Sequence, residues 1–409
     1  MRKVMKWVLA ATLIFCGMVD AAAQPTREQM AQIRVSKEGD FKYWTADAAS
    51  LAQLKKFVAD VTTEGSENFV PVEDRLAVFD LDGTLLCETA PYYLHWMVMF
   101  HRILEDPTYT PTEEQKNFAL DAYDRVYKKT KAIDKDFDDK VQDIQNSAFI
   151  GLTQQEMEAW VTDFLKTPCE GLENLTWGTA LYWPMIEVVS YLVNNDFTVY
   201  FCSGSDRDII RPLIKDILPV KRYQVMGSDC HYLPENKAEE FNWEEPAIME
   251  RYKFDQVKGQ KCVRGLFKQK CTAYNKVDFM TRQLGQKPIL TFGNSSGDYP
   301  MFEYVTTRND NYPSKAFCLL CDDVERELGD VEKAEKCRKA CEENGWIPVS
   351  MRNDWTTIYG ADVKRTPTGI STARIIPITD AKAYTTNGQA ATDSTRGIVI
   401  EGQQKFIRK

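Results

Sequence analysis

The stretch from Leu76 to Thr84 constrains the fold more than any other, because an apolar run ends in two carboxylates and a glycine. Side chains two positions apart on an extended backbone point the same way, so Asp80 and Asp82 are expected to face one reacting group. Gly83 permits a tight turn after them. Two like charges this close attract a cation, and oxygen ligands favour Mg²⁺. The pattern indicates phosphoryl transfer, in which one carboxylate attacks phosphorus and the other moves a proton.

An ordinary Asp-Gly turn after a strand is the alternative interpretation of this stretch. The rest of the chain argues against it, because apolar strands and amphipathic helices alternate and so predict an α/β fold with a parallel sheet. The predicted strands end at Asp80, Cys202, Phe292 and Cys321, and the predicted helices cover 185–192, 208–218, 275–284 and a charged segment up to about Asn344. Sites in such sheets lie at the carboxyl ends of the strands. Asp80, Ser203 and Asn294 each fall at such an end or just beyond it.

A helical pattern fills the region between the first two predicted strands of the core. Capping boxes begin at Thr112 and Thr153, and no strand-helix alternation interrupts this region, which predicts an inserted helical domain. The predicted division is a core formed by 24–91 and 178–360, a helical insertion at 92–177, and a Thr-, Gly- and Ala-rich tail with short strands at 365–409.

The N-terminus is typical of a secretory signal peptide. A cationic start precedes the short apolar run Trp7–Phe15, and Ala21-Ala22-Ala23 predicts cleavage after residue 23. The protein is therefore expected to be exported to the periplasm, the cell surface or the exterior. No later segment is predicted to span a membrane. Acidic residues outnumber basic ones by 60 to 51, which argues against nucleic acid or an anionic membrane as the partner.

The cysteines fit an exported protein, since ten of the 11 follow the predicted cleavage site and disulfides are then permitted. Cys262 and Cys271 flank a basic segment and are predicted to staple a hairpin. The four cysteines between positions 318 and 341 have a spacing that superficially suits zinc. Two of them lie in a predicted core strand and two lie one helical turn apart, so buried thiols or a disulfide are the preferred interpretation.

Four motifs in chain order resemble those of the haloacid dehalogenase-like (HAD) superfamily of phosphohydrolases. They are Phe79–Leu85, Cys202-Ser203-Gly204, Lys276 within Asn275–Asp278, and Gly293–Asp298 with Met301. The resemblance covers roughly 74–322 and is closest to the phosphoserine-phosphatase-like branch, particularly its exported members. It implies a Rossmann-like core, and the helical insertion occupies the position of a type-one cap, which covers the site and selects the leaving group.

The resemblance also implies a role for each motif residue. Asp80 would be the nucleophile that forms an aspartyl-phosphate, and Asp82 would protonate the leaving oxygen and then deprotonate water. Ser203 would hydrogen-bond the phosphoryl group, and Lys276 would neutralise the nucleophile and the phosphate. Taken singly, Ser203 is equally a helix cap and Lys276 a surface lysine; together and in this order the functional interpretation is preferred.

Further residues are predicted to bind phosphate or metal. Thr84, Gly204 and Arg211 are the candidates for phosphate or substrate, with a simple pair between Arg211 and Asp208 as the alternative for the arginine. The candidates for a Mg²⁺ site are Asp80, Asp82 through its carbonyl, Asn294 through its amide oxygen, and Asp298 directly or through water. Asn294 departs from the family pattern, in which Asp is commoner, and this loss of a charge puts metal affinity in doubt.

The sequence therefore predicts a Mg²⁺-dependent phosphomonoester hydrolase acting on a small exported or extracellular phosphate ester. A phosphotransferase or mutase of the same fold is one alternative, and a non-catalytic scaffold that binds a phosphate ligand is another. The tail, at 383–389 and 396–405, resembles the C-terminal sorting domains of type IX secretion cargo, which implies a contact with secretion machinery; a loosely packed tail is the alternative.

Overall fold

The computed structural model describes residues 24–238, 252–307, 311–360, 363–366, 383–385, 397–401 and 404–408. The predicted signal peptide at 1–23 lies outside the described residues, so export stays a prediction. None of the described helices has both the length and the apolar character needed to cross a bilayer.

The described residues form twelve strands, and seven of them make up one large sheet. The strands are β1 (Leu76–Phe79), β2 (Leu172–Glu173), β3 (Thr198–Asp206), β4 (Val225–Pro234), β5 (Cys262–Gln269), β6 (Leu290–Gly293), β7 (Lys315–Leu320), β8 (Ile347–Ser350), β9 (Lys364–Arg365), β10 (Ala383–Thr385), β11 (Gly397–Glu401) and β12 (Gln404–Arg408). The order in the large sheet is β5-β4-β3-β1-β6-β7-β8. Every pair in it is parallel except β4 with β5. The predicted α/β class with a Rossmann-like parallel core is confirmed.

Helices connect these strands. They are α1 (Arg27–Ala31), α2 (Ala49–Thr62), α3 (Leu94–Phe100), α4 (Glu113–Tyr127), α5 (Lys135–Ser147), α6 (Gln154–Phe164), α7 (Trp183–Asn194), α8 (Arg207–Ile214), α9 (Phe254–Val257), α10 (Tyr274–Leu284), α11 (Tyr299–Thr306), α12 (Val331–Asn344) and α13 (Met351–Asp354). The capping boxes predicted at Thr112 and Thr153 are present and begin α4 and α6.

Strand β1 lies in the middle of the sheet, and all four of its residues are buried. Phe79 is in register with Phe201 on β3 and with Phe292 on β6. The rings of Phe79 and Phe292 stack with centroids 4.2 Å apart. A strand covered on both faces needs a continuous apolar run, which explains the run before Asp80. Strands β1 and β6 therefore end at nearly the same level and present their next residues at one edge, and β3 continues past that edge to Asp206.

The described chain falls into two compact units. Residues 24–95 and 149–366 form the first, and residues 96–148 belong to the second. The prediction placed 92–177 in one insertion, whereas α6 packs within the first unit, where Glu158 pairs with Lys215 and Arg222. In the second unit, Phe118 of α4 stacks on Phe137 of α5 with centroids 4.8 Å apart. A cap function for this unit stays a prediction.

Strand β3 differs from its prediction, because it continues to Asp206 and not only to Cys202. Its pairing with β4 shifts register between Ser203 and Asp206. Strands β4 and β5 form an antiparallel hairpin, and Cys262 lies at the start of its second strand.

The predicted link between Cys262 and Cys271 is wrong. Cys262 is exposed at the start of β5, whereas Cys271 is buried with its Sγ 3.4 Å from Cys202 Sγ. Cys318, Cys321, Cys337 and Cys341 are all buried, and none of them is in a disulfide. The reason for the error is that the hairpin formed by β4 and β5 pairs Cys262 with Pro234, which carries it away from Cys271.

The tail contains the expected short strands. Strands β10, β11 and β12 form a three-stranded antiparallel sheet. The residues between β10 and β11 lie outside the described part of the chain, and the sorting role stays a prediction.

A buried carboxyl group away from the sheet edge makes stability depend on pH. Glu327 is 3% exposed; its Oε1 accepts a hydrogen bond from Cys87 Sγ at 3.4 Å, and its Oε2 accepts one from the Tyr359 hydroxyl. Burial is the main cause that raises the pKa of Glu327 from 4.5 to about 7. Because the folded state holds this proton more tightly, the stabilisation is complete below the unfolded pKa and is lost as pH rises through the folded pKa.

We therefore expect the free energy of unfolding to fall by up to about 3 kcal/mol as pH rises from about 4.5 to 8 and Glu327 ionises. The Glu327→Gln variant, which stays neutral, should lose less stability over this range. Urea unfolding at a series of pH values measures both proteins. Identical pH slopes for the two would contradict the expectation.

Candidate active site

Asp80 lies at the carboxyl end of β1, where its backbone is still tied to the sheet. Its N–H donates to Phe292 O at 2.9 Å, so β6 fixes the position of the residue after the strand. The Thr84 hydroxyl, which is fully buried, donates to Asp80 Oδ2 at 3.2 Å. Thr84 thus orients the predicted nucleophile, in addition to its predicted role toward phosphate.

Lys276 bridges two carboxylates at this edge. It is the third residue of α10, and its Nζ lies 2.5 Å from Asp80 Oδ1 and 2.5 Å from Asp298 Oδ1. Lys276, Asp80 and Asp298 are 3%, 5% and 1% exposed. These residues are separated by up to 218 positions in the sequence, from Asp80 to Asp298, yet they form one buried ion cluster. The predicted convergence of motifs one, three and four is observed.

The charges in this cluster do not balance, because two carboxylates share one ammonium group. Burial first, and then the neighbouring Asp298 carboxylate, raise the pKa of Asp80 to about 7. Burial alone would lower the pKa of Lys276, but Asp298 and Asp80 outweigh it and raise that pKa well above its ordinary value. Lys276 therefore stays positively charged. With two carboxylates and one ammonium group, the cluster would be stabilised by a second cation.

The loop after β6 is organised by Asp298. Asp298 Oδ2 accepts hydrogen bonds from Asn294 N at 2.9 Å, from Ser295 N at 3.1 Å and from Ser295 Oγ at 3.3 Å. Its other oxygen holds Lys276. Both oxygens of Asp298 already have donors, so its position favours the indirect, water-mediated form of the predicted metal contact.

Asp82 is held by two hydroxyl groups of β3. Ser203 Oγ donates to Asp82 Oδ2 at 3.1 Å, and Ser205 Oγ donates to the same atom at 2.8 Å. Asp82 Oδ1 is buried and has no hydrogen-bond partner within the described residues. Burial raises the pKa of Asp82 against the opposing effect of Ser205. A carboxyl group with one anchored and one open oxygen suits proton transfer.

The start of α8 is covered by an ion network rather than left open. Asp206 caps the helix by accepting from Asp208 N at 2.9 Å. The fully buried Arg264 pairs with Asp206 and with Asp208, and the Tyr232 hydroxyl donates to Asp208. Gly204 directly follows Ser203, and a Cβ added to it would meet only Cys271 O at 3.9 Å. There is thus space beside the backbone at the predicted phosphate-binding position.

Arg211 was predicted to bind phosphate, but the structure does not bring it to the Lys276 cluster. Its Nη1 pairs with Asp208 Oδ1 at 3.1 Å, and its Nε donates to Arg222 O at 3.1 Å. The reason is its place in the second turn of α8, from which the side chain returns to the helix start. This is the alternative that the sequence left open, and phosphate binding by Arg211 has no support in the geometry.

Gly83 is required by both its backbone and its surroundings. It has φ +78°, and an added Cβ would overlap the Asn294 side-chain amide. Gly151 has φ +87° with nothing within 4 Å of an added Cβ, so it carries the same backbone strain without the overlap. The close approach of Gly83 places motif one directly against motif four.

We expect Gly83→Ala to cost about 1–2 kcal/mol from backbone strain, with a further loss from the displaced Asn294. The control is Gly151→Ala, which should show only the backbone part. Denaturant unfolding of both variants measures the difference, and turnover should fall in Gly83→Ala alone. Equal losses of stability in the two variants would show that the contact with Asn294 is unimportant.

The fit of this site to Mg²⁺ depends on more than its carboxylates. The described residues hold no group of three or more His, Cys, Asp or Glu side chains placed to bind a metal ion. A cation would therefore need other oxygens as well, namely the Asp82 carbonyl and the amide of Asn294, which is 2% exposed. The excess carboxylate at Asp80 and Asp298 supplies the charge. Hard oxygen donors with surplus negative charge fit Mg²⁺.

One residue of the site and one ion pair beside it are not among the sequence predictions. Ser205 is not a predicted site residue, although its two-residue spacing from Ser203 suits an extended strand. Glu88, whose Cδ is 3.1 Å from the Cβ position of Gly83, pairs with Lys333 of α12. That pair joins residues 245 positions apart, and nothing in the local pattern marks it.

No protein-family model and no curated protein matches the chain. A conserved protein of unknown function from Anaerococcus prevotii is similar over 74% of this chain and 91% of its own, with 12% identity and a TM-score of 0.41. A phosphoserine phosphohydrolase-like protein from Francisella tularensis is similar over 68% and 95%, with 16% identity and a TM-score of 0.35. Cytosolic 5′-nucleotidase IIIB bound to cytidine is similar over 74% and 87%, with 12% identity and a TM-score of 0.42. These likenesses are distant, so the function has to come from the site itself.

Proposed function

We propose that this protein is a phosphomonoester hydrolase of the HAD type, with Asp80 as the nucleophile and Mg²⁺ as the cofactor. The observation that carries the proposal is the bridge from Lys276 Nζ to Asp80 and Asp298, 2.5 Å to each. Phosphoryl transfer needs donors and cations placed in advance around three phosphoryl oxygens. The buried edge of β1, β3 and β6 supplies them from four separate segments of the chain.

The first chemical step would form a bond between an Asp80 carboxylate oxygen and phosphorus. The bond from phosphorus to the ester oxygen breaks, and its electron pair leaves with that oxygen. Asp82 gives the leaving oxygen a proton, so the products are an alcohol and an aspartyl-phosphate. Lys276 holds Asp80 in place, and the Ser203 hydroxyl, which donates to Asp82 at 3.1 Å, would turn to a phosphoryl oxygen when the substrate binds.

The second step would use water. Asp82, now without its proton, takes one from a water molecule, and the hydroxide oxygen bonds to phosphorus. The bond to Asp80 breaks, and inorganic phosphate leaves. Bound Mg²⁺, held by Asp80, the Asp82 carbonyl and Asn294 with Asp298 nearby, would offset the negative charge of the phosphoryl group. Burial of the cluster strengthens each of these interactions.

The substrate and the location belong to the proposal as well. We infer a small phosphate ester outside the cytoplasm, since the predicted signal peptide and sorting tail point to export. The predicted helical cap would select the leaving group. The intact pairing of Asp80 with Lys276 and of Asp82 with two hydroxyls favours an enzyme over a non-catalytic scaffold, although Asn294 reduces the charge of the metal site.

The test is a panel of phosphomonoesters incubated with purified protein, with and without Mg²⁺. The proposal expects release of inorganic phosphate that requires the metal and needs no acceptor alcohol. Little release of inorganic phosphate, with the phosphoryl group recovered on an added acceptor alcohol or at another position of the substrate, would indicate a phosphotransferase or mutase. Binding of phosphate esters without any turnover would support the scaffold alternative.

A further inference from the structure

The two oxygens of the Asp82 carboxyl group have different surroundings. Oδ2 accepts hydrogen bonds from Ser205 Oγ at 2.8 Å and from Ser203 Oγ at 3.1 Å. Oδ1 is buried and has no partner within the described residues. A carboxyl oxygen that accepts two hydrogen bonds is held in place by them, so Oδ1 is the oxygen that has no protein partner to compete with a substrate. The asymmetry therefore decides which atom of Asp82 exchanges protons with a substrate.

The local shape of β3 creates this asymmetry. Ser203 and Ser205 are two positions apart on an extended strand, so their side chains share one face. The pairing of β3 with β4 shifts register between Ser203 and Asp206, in the stretch that contains Ser205. Ser205 is 1% exposed, and its N–H donates to Ser203 Oγ at 3.1 Å. Both hydroxyls are thereby aimed at one atom.

The two serines differ in what else they would do. Ser203 is the predicted phosphoryl ligand, so its hydroxyl would be drawn toward the phosphoryl group when a substrate binds. Ser205 has no such competing partner in the proposed mechanism, and its contact with Asp82 is the shorter of the two. Asp82 would then keep only one anchor during the reaction.

We propose that Ser205 is the positioning residue that holds Asp82 Oδ2 and so presents Asp82 Oδ1 to the leaving oxygen. This inference rests on the proposed phosphatase function and adds a residue to it. In the first step the proton on Oδ1 passes to the ester oxygen as that oxygen takes the electron pair of its bond to phosphorus. In the second step a water proton returns to Oδ1. Ser205 itself touches neither substrate nor phosphorus.

The test uses two esters of nearly the same shape, phenyl phosphate and p-nitrophenyl phosphate, and compares their kcat/KM values. Nitrophenolate leaves readily without a proton, whereas phenolate needs the general acid. Ser205→Ala should lower kcat/KM for phenyl phosphate at least about tenfold more than for p-nitrophenyl phosphate. Ser205→Thr, which keeps the hydroxyl, should restore most of the wild-type ratio.

The ratio of the two kcat/KM values does not depend on how much protein is folded, so partial misfolding cannot imitate the expected result. Ser203→Ala is the matched control and should lower both kcat/KM values by a similar factor, since a phosphoryl contact serves either ester. An unchanged ratio in Ser205→Ala, or the same change of ratio in Ser203→Ala, would overturn the inference. If the wild-type protein hydrolyses neither ester with Mg²⁺, the proposed function fails and this inference fails with it.

Discussion

Replacing Asp80 by Asn is expected to lower phosphate release by more than about 10³-fold, because the amide cannot form the covalent bond to phosphorus. The fold should survive the change. Burial and Asp298 already raise the pKa of Asp80 to about 7, so its ionised form is disfavoured there and a neutral side chain of equal size fits. We expect the free energy of unfolding near neutral pH to stay the same or to rise.

Steady-state turnover and urea unfolding of the same preparation measure this result. The control is Asp163→Asn, which makes the same chemical change at a side chain that is 78% exposed, and which should leave turnover unaltered. Acid quenching during turnover adds a direct observation, since Asp82→Asn should accumulate one phosphoryl group per chain and Asp80→Asn should accumulate none. Turnover that survives Asp80→Asn would exclude the covalent mechanism.

Replacing Lys276 by Met is expected to have the largest effect on stability. The ammonium group is 3% exposed and is the shared partner of Asp80 and Asp298, so its loss leaves two buried carboxylates facing each other. Breaking a buried ion pair by removing one partner typically costs about 3–5 kcal/mol. The cost should shrink as pH falls, because protonation removes one of the two negative charges. Turnover should fall as well, since the proposed nucleophile loses its anchor.

Urea unfolding at neutral and at acidic pH measures this effect. Lys339→Met is the control, because Lys339 lies on α12 with a side chain that is 74% exposed and should cost little. The double variant Lys276→Met with Asp298→Asn should recover part of the lost stability, as expected for coupled neighbours. A loss below about 1 kcal/mol in Lys276→Met would mean that the cluster contributes little to folding.

Much of the fold was predictable, because it depends on patterns that are local in the chain. The apolar run before Asp80 predicted a buried central strand, and β1 is buried throughout. The capping boxes at Thr112 and Thr153 marked the starts of α4 and α6. The extension of β3 to Asp206 was not predictable, since Gly204 and two serines are typical of turns, and the strand resumes its pairing with β4 only at Asp206, after a register shift.

The wrong and missing predictions concern which side chains contact each other in the folded chain. Arg211 is a cation near Ser203 in the sequence, but its partners are the Asp208 carboxylate and the Arg222 carbonyl group. Cys271 lies nine positions after Cys262 in the sequence, yet the thiol beside it is that of Cys202. Spacing along the chain says which residues are near each other in an extended or helical segment, and it says nothing about segments brought together by a crossover.

By itself, the sequence determined the α/β class, the strand that carries Asp80 and Asp82, and the chain order of the residues that reach the sheet edge. These follow from hydrophobic periodicity and the two-residue repeat of a strand, which are local properties. Only the tertiary structure decided that Lys276 bridges Asp80 and Asp298, and that Ser205 joins Ser203 on one oxygen of Asp82. Those contacts depend on how parallel strands from distant segments align and on which charges burial forces to pair, and neither is encoded in spacing.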